Sequence, residues 1–161
     1  MVNQETAYYE EGNGAYISVI PTQHTIQLLQ HLWIPGKGLA PSQWHVTVIF
    51  DKSSMISPEN FYMKFPLVGC DNVYAATAGK IVSWRGQKDK IFRVLRLESP
   101  ELETLHDYLR KTCNFTHSFP QFEPHMTLIE DEENILPEDD SLVGAKLSFG
   151  GLRIESLKVQ P

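Results

Sequence analysis

Trp44-His45-Val46-Thr47-Val48-Ile49-Phe50 and Pro124-His125-Met126-Thr127-Leu128-Ile129 are the two stretches on which the fold of this chain turns. Both are rich in apolar and β-branched residues and read as strands. Both contain the order His-x-Thr-apolar, and the two histidines lie 80 residues apart. Side chains alternate between the faces of a strand, so His45 and Thr47 share one face while Val46 and Val48 take the other. His125 and Thr127 are arranged in the same way, backed by Met126 and Leu128.

Outward from these stretches, one order of elements occurs twice. Ala15–Ile20 is a β-branched and aromatic strand stopped by Pro21. Thr22 caps a helix whose apolar residues Ile26, Leu29, Leu32 and Trp33 keep helical spacing, and Pro35-Gly36-Lys37-Gly38 stops it. The strand 44–50 follows. In the second half, strand 91–97 leads to Ser99 and Pro100, a good N-cap and first helical residue. Leu102, Leu105, Tyr108, Leu109 and Cys113 form the apolar face of the helix that begins there, and strand 124–129 follows. Ala75–Trp84 pairs with 91–97 through the polar turn Arg85–Lys90. Ala145 to Val159 holds two further strands, bent at Gly150-Gly151. The chain reads as one domain over 1–161, with pseudo-repeats at about 15–50 and 91–130.

Composition bounds the function. The chain's 161 residues suffice for one core. With 14 Lys+Arg against 20 Asp+Glu, the net charge of -6 disfavours a long nucleic acid held by its backbone, but leaves a small anion in a pocket open. No apolar run is long enough to span a bilayer, and the N-terminus lacks the pattern of a signal peptide. Cys70 and Cys113 show no metal or disulfide spacing. The acidic segment Glu130–Asp140 lacks the ligand spacing of a calcium loop and reads as a solvated connection. These features point to a soluble protein of a reducing compartment without a disulfide framework or a thiolate metal site, and no cofactor is expected.

If the two repeats pack as a pseudo-symmetric pair, their polar faces converge on one cleft. Two imidazoles and two hydroxyls then surround a single small group. Histidine titrates near neutrality, so one ring serves as base while the other, protonated, serves as acid. Threonine hydroxyls donate to oxygens where negative charge develops. That set of groups suits cleavage of a phosphodiester.

The paired tetrads resemble those of the two-histidine phosphoesterase superfamily, and the element order of nearly the whole chain is similar. The resemblance implies an α+β, bilobal fold: two antiparallel sheets forming a central cleft, with helices outside. It implies metal-independent chemistry, with His45 and His125 as the acid/base pair and Thr47 and Thr127 binding the phosphate. Within the superfamily the chain looks most like short proteins of T4-like phages. Those proteins hydrolyse the cyclic di- and trinucleotide messengers of the bacterial anti-phage system CBASS. By that likeness the substrate is a cyclic oligonucleotide and the site of action is the cytoplasm of the infected host, while a single domain with no obvious extra apolar face reads as a monomer. Other readings are cleavage of 2′-5′ oligoadenylates or RNA ends, and a non-cleaving sponge that only binds cyclic nucleotides.

A nucleotide also needs surfaces for its bases. Tyr16 alternates with Ile17 and Val19 and can face the cleft. Trp84 opens the polar turn and can stack on a base, and Glu155 interrupts an apolar strand where it could meet a base edge. Arg93 and Arg96 fall on opposite faces of their strand, so at most one sees the cleft. His24, His31, His106 and His117 lack a following threonine and read as surface or packing residues. Trp33, Trp44, Phe92 and Phe122 read as core.

Overall fold

The computed structural model describes residues 14–52, 72–117 and 121–156. Its elements run β1 (Ala15–Pro21), α1 (Gln23–Leu29), β2 (Val46–Asp51), β3 (Tyr74–Arg85), β4 (Ile91–Glu98), α2 (Pro100–Lys111), β5 (His125–Glu132) and β6 (Lys146–Ser156). Among the described residues the strands follow the order β1-β2-β5-β4-β3-β6, with β6 returning to β1, and every pairing is antiparallel. The two expected lobes are present as β6-β1-β2 and β3-β4-β5. They join edge to edge, so the two sheets close into one.

The seams differ. β2 meets β5 at Val46 opposite Met126, and β3 meets β6 over Tyr74–Thr77 opposite Lys146–Phe149. The tail was expected to form two strands and is instead one, which changes partner midway. Lys146–Phe149 lies along β3, and Phe149–Ser156 lies along β1. The bend falls at Gly151, whose φ of +56° suits glycine and whose Cβ, if it had one, would press on Ile20. Leu157, Val159 and Cys70 lie outside the described residues.

α2 has good reasons to form. Ser99 accepts the Leu102 N–H at 3.0 Å, Pro100 follows, Glu101 and Glu103 occupy the first turn, and Arg110 and Lys111 the last. Its buried face of Leu102, Leu105, His106 and Leu109 packs under the sheet. Truncating one such leucine to alanine costs about 2–5 kcal/mol. α1 is only seven residues long and would not persist alone. Thr25 Oγ1 holds it to β6 by donating to Ser148 O (2.9 Å) and accepting Ser148 N–H (2.8 Å). α1 gives way to a 3-10 turn, Gln30–Leu32, which rotates the chain differently from an α-helix. Trp33, expected in the core, is therefore exposed. Trp44 is buried as expected, with its indole N–H donating to Leu39 O.

Candidate active site

Each tetrad sits at a β-bulge. Between β1 and β2, Ile17 pairs with Ile49 and Ser18 with Thr47, which leaves Val48 as the extra residue. Between β4 and β5, Arg93 pairs with Ile129 and Val94 with Thr127, leaving Leu128. The fourth residue of each His-x-Thr-apolar motif is thus the bulged one. Val46 and Met126 are fully buried, while His45, Thr47, His125 and Thr127 are partly exposed on the other face.

Both imidazoles are anchored alike. His45 Nδ1–H donates to Gln43 O at 2.9 Å, and His125 Nδ1–H donates to Glu123 O at 2.8 Å. A carbonyl can only accept, so each neutral ring keeps its proton on Nδ1 and leaves Nε2 as the basic nitrogen. The pattern repeats because each acceptor lies two residues before its histidine on the approach to the strand. The rings also share one electrostatic environment. Burial pushes the His125 pKa below its ordinary value, the Glu123 carbonyl partly restores it, and charge on His45 and Arg96 lowers it further.

The surroundings of the two rings are not alike. The Tyr16 hydroxyl lies 2.7 Å from His45 Nε2 and 2.6 Å from Thr47 Oγ1. Burial, and after it the nearby Glu155 charge, push the phenol pKa above 10, so Tyr16 keeps its proton. When His45 is neutral, Tyr16 donates to Nε2 and accepts from Thr47. When His45 is protonated, Nε2–H donates to Tyr16, which then donates to Thr47. Both states are satisfied without rearrangement of heavy atoms.

In the second lobe Phe92 takes the register place that Tyr16 takes in the first. Tyr16 pairs with Glu155 of β6, and Phe92 pairs with Trp84 of β3. Of the residues expected to serve substrate bases, Glu155 and Trp84 thus fall at corresponding positions of opposite lobes, with Tyr16 beside Glu155. Trp84 packs edge-on against His125, ring centroids 4.5 Å apart, and the Arg96 guanidinium lies 5.9 Å from the Trp84 ring centre. Of the two arginines, Arg96 is directly across from His125, whereas Arg93 turns away and donates to Ser83 Oγ and Pro137 O. That contact pins the acidic connection against β3, where Asp139 also bridges Ile81, so the segment is exposed yet tied by its backbone.

Two features near the site escaped the sequence reading. His106 and His117 bind backbone groups of β2, at Val48 O and Phe50 N respectively. The Pro35–Gly38 segment does more than stop a helix, because Leu39 N–H donates to Leu128 O at 2.8 Å. The partners are distant in sequence, and backbone acceptors leave no motif.

Comparison with known proteins agrees with this geometry. A family model described as anti-CBASS protein Acb1 matches residues 13–160. The anti-CBASS protein Acb1 of Vibrio phage KVP40 is 26% identical over 126 residues, 76% of either chain. TT0787 of Thermus thermophilus has the same fold, with a TM-score of 0.63 at 16% identity over 92% of this chain and 90% of that one. Escherichia coli LigT complexed with NADP+ gives a TM-score of 0.53 at 18% identity over 90% and 94%.

Proposed function

The chain belongs to the anti-CBASS protein Acb1 family, phosphodiesterases on the two-histidine fold, and from that premise we propose that it hydrolyses 3′-5′ bonds in cyclic di- and trinucleotide immune messengers. The observation that carries this reading is the matched pair of imidazoles. Each has Nδ1–H fixed on a carbonyl two residues earlier, which makes Nε2 the nitrogen that exchanges protons, that of His45 through its contact with the Tyr16 hydroxyl, on strands that meet at Val46 and Met126.

The chemistry proceeds by in-line attack of a ribose 2′-hydroxyl on the adjacent 3′-5′ phosphodiester. His125, held neutral by burial beside Trp84, accepts the hydroxyl proton. His45 in its protonated form gives its Nε2 proton to the departing 5′-oxygen. Tyr16 steadies either state of that ring. The P–O5′ bond breaks as P–O2′ forms, leaving a 2′,3′-cyclic phosphate and a 5′-hydroxyl. Water then opens the cyclic phosphate with the roles of the two histidines reversed. Thr47 and Thr127 donate to the non-bridging oxygens as charge grows on them. Each step is balanced by these side chains and water alone, which supports metal-independent catalysis.

Trp84 supplies an aromatic surface for one base, while Glu155 and Tyr16 supply polar partners for another. Both motifs lie on one chain, which supports a monomer as the working unit. No helix among the described residues is long and apolar enough to cross a membrane. The proposed place of action is the cytoplasm of the infected cell, where the messengers are made.

Product analysis in excess chelator tests the proposal. The protein is incubated with 3′,3′-cyclic GMP-AMP and with cyclic tri-adenylate, beside a His45→Ala/His125→Ala control and a substrate lacking the attacking 2′-hydroxyl. Linear phosphate-terminated products from the unaltered protein and ribose substrate alone are expected. Intact messengers after long incubation would overturn cleavage and leave binding only; undiminished cleavage of the 2′-deoxy linkage would overturn the mechanism.

A further inference from the structure

Two carbonyls at matching places hold the bulges on which the tetrads sit. Val48 and Leu128 are the residues left over in the β1–β2 and β4–β5 ladders, and β2 and β5 pair with each other at Val46 and Met126. The Val48 and Leu128 carbonyls therefore look outside the sheet for donors. Leu128 O receives the backbone N–H of Leu39 at 2.8 Å, from the segment that follows α1. Val48 O receives Nδ1–H of His106 at 2.7 Å, from α2. One latch is main chain and the other is an imidazole.

The imidazole latch is built rather than incidental. His106 is 4% exposed. Its ring lies flat on Phe122, centroids 4.2 Å apart and planes within 4°, with the His117 ring edge-on at 4.7 Å. His117 in turn accepts Phe50 N–H at 3.2 Å, two residues farther along β2. The next backbone anchor, Asp51 Oδ2, accepts Thr116 N–H at 2.9 Å.

We propose that His106 is a positioning residue for the reaction. It acts through the Val48 carbonyl to fix the bulge that aims Thr47, and through Thr47 the Tyr16–His45 hydrogen bonds. This rests on the reading of His45 and Thr47 as reacting groups. Without the donor, the Val48 peptide rotates toward another partner and carries its neighbour Thr47 with it. Misplacement of a reacting group by about 1 Å can cost about a hundredfold in rate.

The test compares His106→Phe, which keeps a ring for Phe122 but donates nothing, with His106→Asn, whose amide N–H falls near the Nδ1 position. Initial rates on 3′,3′-cyclic GMP-AMP are measured alongside the imidazole proton resonances of His45 and His125. We expect His106→Phe to lower kcat about tenfold or more with KM within about twofold, and to move the His45 resonance while His125 stays put. His106→Asn should restore both. Unchanged kcat in a folded His106→Phe, equal shifts at both histidines, or an Asn variant as impaired as Phe would each overturn the proposal. Should His106→Phe not fold, His106→Gln replaces it, since its amide lies at the Nε2 rather than the Nδ1 position and should not rescue. If the unaltered protein cleaves no cyclic nucleotide, the functional reading fails. The His45 resonance then decides the positioning role by itself: movement upholds it, and no movement overturns it.

Discussion

Val46 and Met126 face each other across the seam between the lobes, both fully buried, and the antiparallel register crosses their neighbours. That register, continued one residue to either side, sets His45 opposite Thr127 and Thr47 opposite His125. Each histidine thus neighbours the threonine of the other motif, and in the proposed reaction a phosphoryl group between the two strands would meet one imidazole and one hydroxyl from each. The symmetry ends there, because Tyr16 has only Phe92 as its counterpart.

That asymmetry separates the two threonines. Replacing either by valine keeps its branched shape and removes one donor to the charged oxygens, a loss of about 100- to 1,000-fold in kcat for a donor of this kind. Thr47→Val also takes away the 2.6 Å partner of Tyr16, which then has His45 alone. The expected outcome is a larger loss of kcat for Thr47→Val than for Thr127→Val, with Tyr16→Phe removing the difference. Steady-state rates on one cyclic dinucleotide check this. Equal losses would mean that the Tyr16 hydroxyl plays no part in the reaction.

Trp84, packed on His125, is expected to set the acid limb of the pH profile. Burial, ahead of the His45 and Arg96 charges, holds the His125 pKa below its ordinary 6.5 or so. The ring remains neutral, and able to accept a proton, below that pH. Trp84→Ala opens the ring to water, relieves the burial and raises the pKa toward the ordinary value. The acid limb of kcat/KM should then move to higher pH, with the largest loss of rate on the acid side. A profile between about pH 4.5 and 8 measures it, that range bracketing a histidine titration. A limb that stays in place, or moves to lower pH, contradicts the assigned cause.

The strands and their polar faces were legible because period-two alternation is a local property. His-x-Thr needs no tertiary knowledge to be placed on one face, and two copies at matching positions expose the pseudo-repeat. Arg96 rather than Arg93 at the cleft follows from the same alternation once β4 is paired with β5. Trp33 misled because helical spacing continues in the letters after α1 has tightened into a 3-10 turn. The tail misled because two glycines suggest a break, whereas here they let one strand bend from β3 to β1. His106 and His117 were opaque for a different reason. Their partners are backbone groups 58 and 67 residues away, which no spacing rule encodes.

Gly38 is the tightest point of the main-chain latch. A Cβ there would lie 2.9 Å from the Leu128 carbonyl oxygen and 3.3 Å from Ile129 Cγ1. The oxygen cannot yield easily, because it also accepts Leu39 N–H. Gly38→Ala must push the segment off β5 and strain or break that bond. The expected cost is about 1–3 kcal/mol, the range for a buried carbonyl left without its donor. Gly36, with nothing within 4 Å of its would-be Cβ but a φ of +83°, provides the contrast, since its alanine variant suffers only local backbone strain. Denaturant midpoints of the two variants, with activity measured in parallel, make the comparison. Gly38→Ala should lose both stability and kcat, and Gly36→Ala stability alone. Full activity in Gly38→Ala would show that the Leu128 carbonyl need not be held.

The paired histidines behind β2 are expected to cost the protein stability in acid. Burial lowers the pKa of His106, and burial followed by the His106 charge takes His117 down to about 4. An unfolded chain protonates both near 6.5. As pH falls through 6.5 the unfolded state takes up protons that the folded state does not, so stability declines. For His117 the decline continues to about pH 4, where the folded ring titrates as well. The structure gives the same sign independently: His117 Nδ1 must be unprotonated to accept Phe50 N–H, and a second charge 4.7 Å from His106 is unfavourable. His117→Asn keeps an acceptor near the Nδ1 position but has no proton to gain. Its denaturation midpoint should therefore fall less steeply than that of the unaltered protein between pH 6.5 and about 4. Parallel curves would show that His117 titrates in the folded protein as it does in the unfolded chain, so that burial and the bond from Phe50 N–H do not hold the ring neutral.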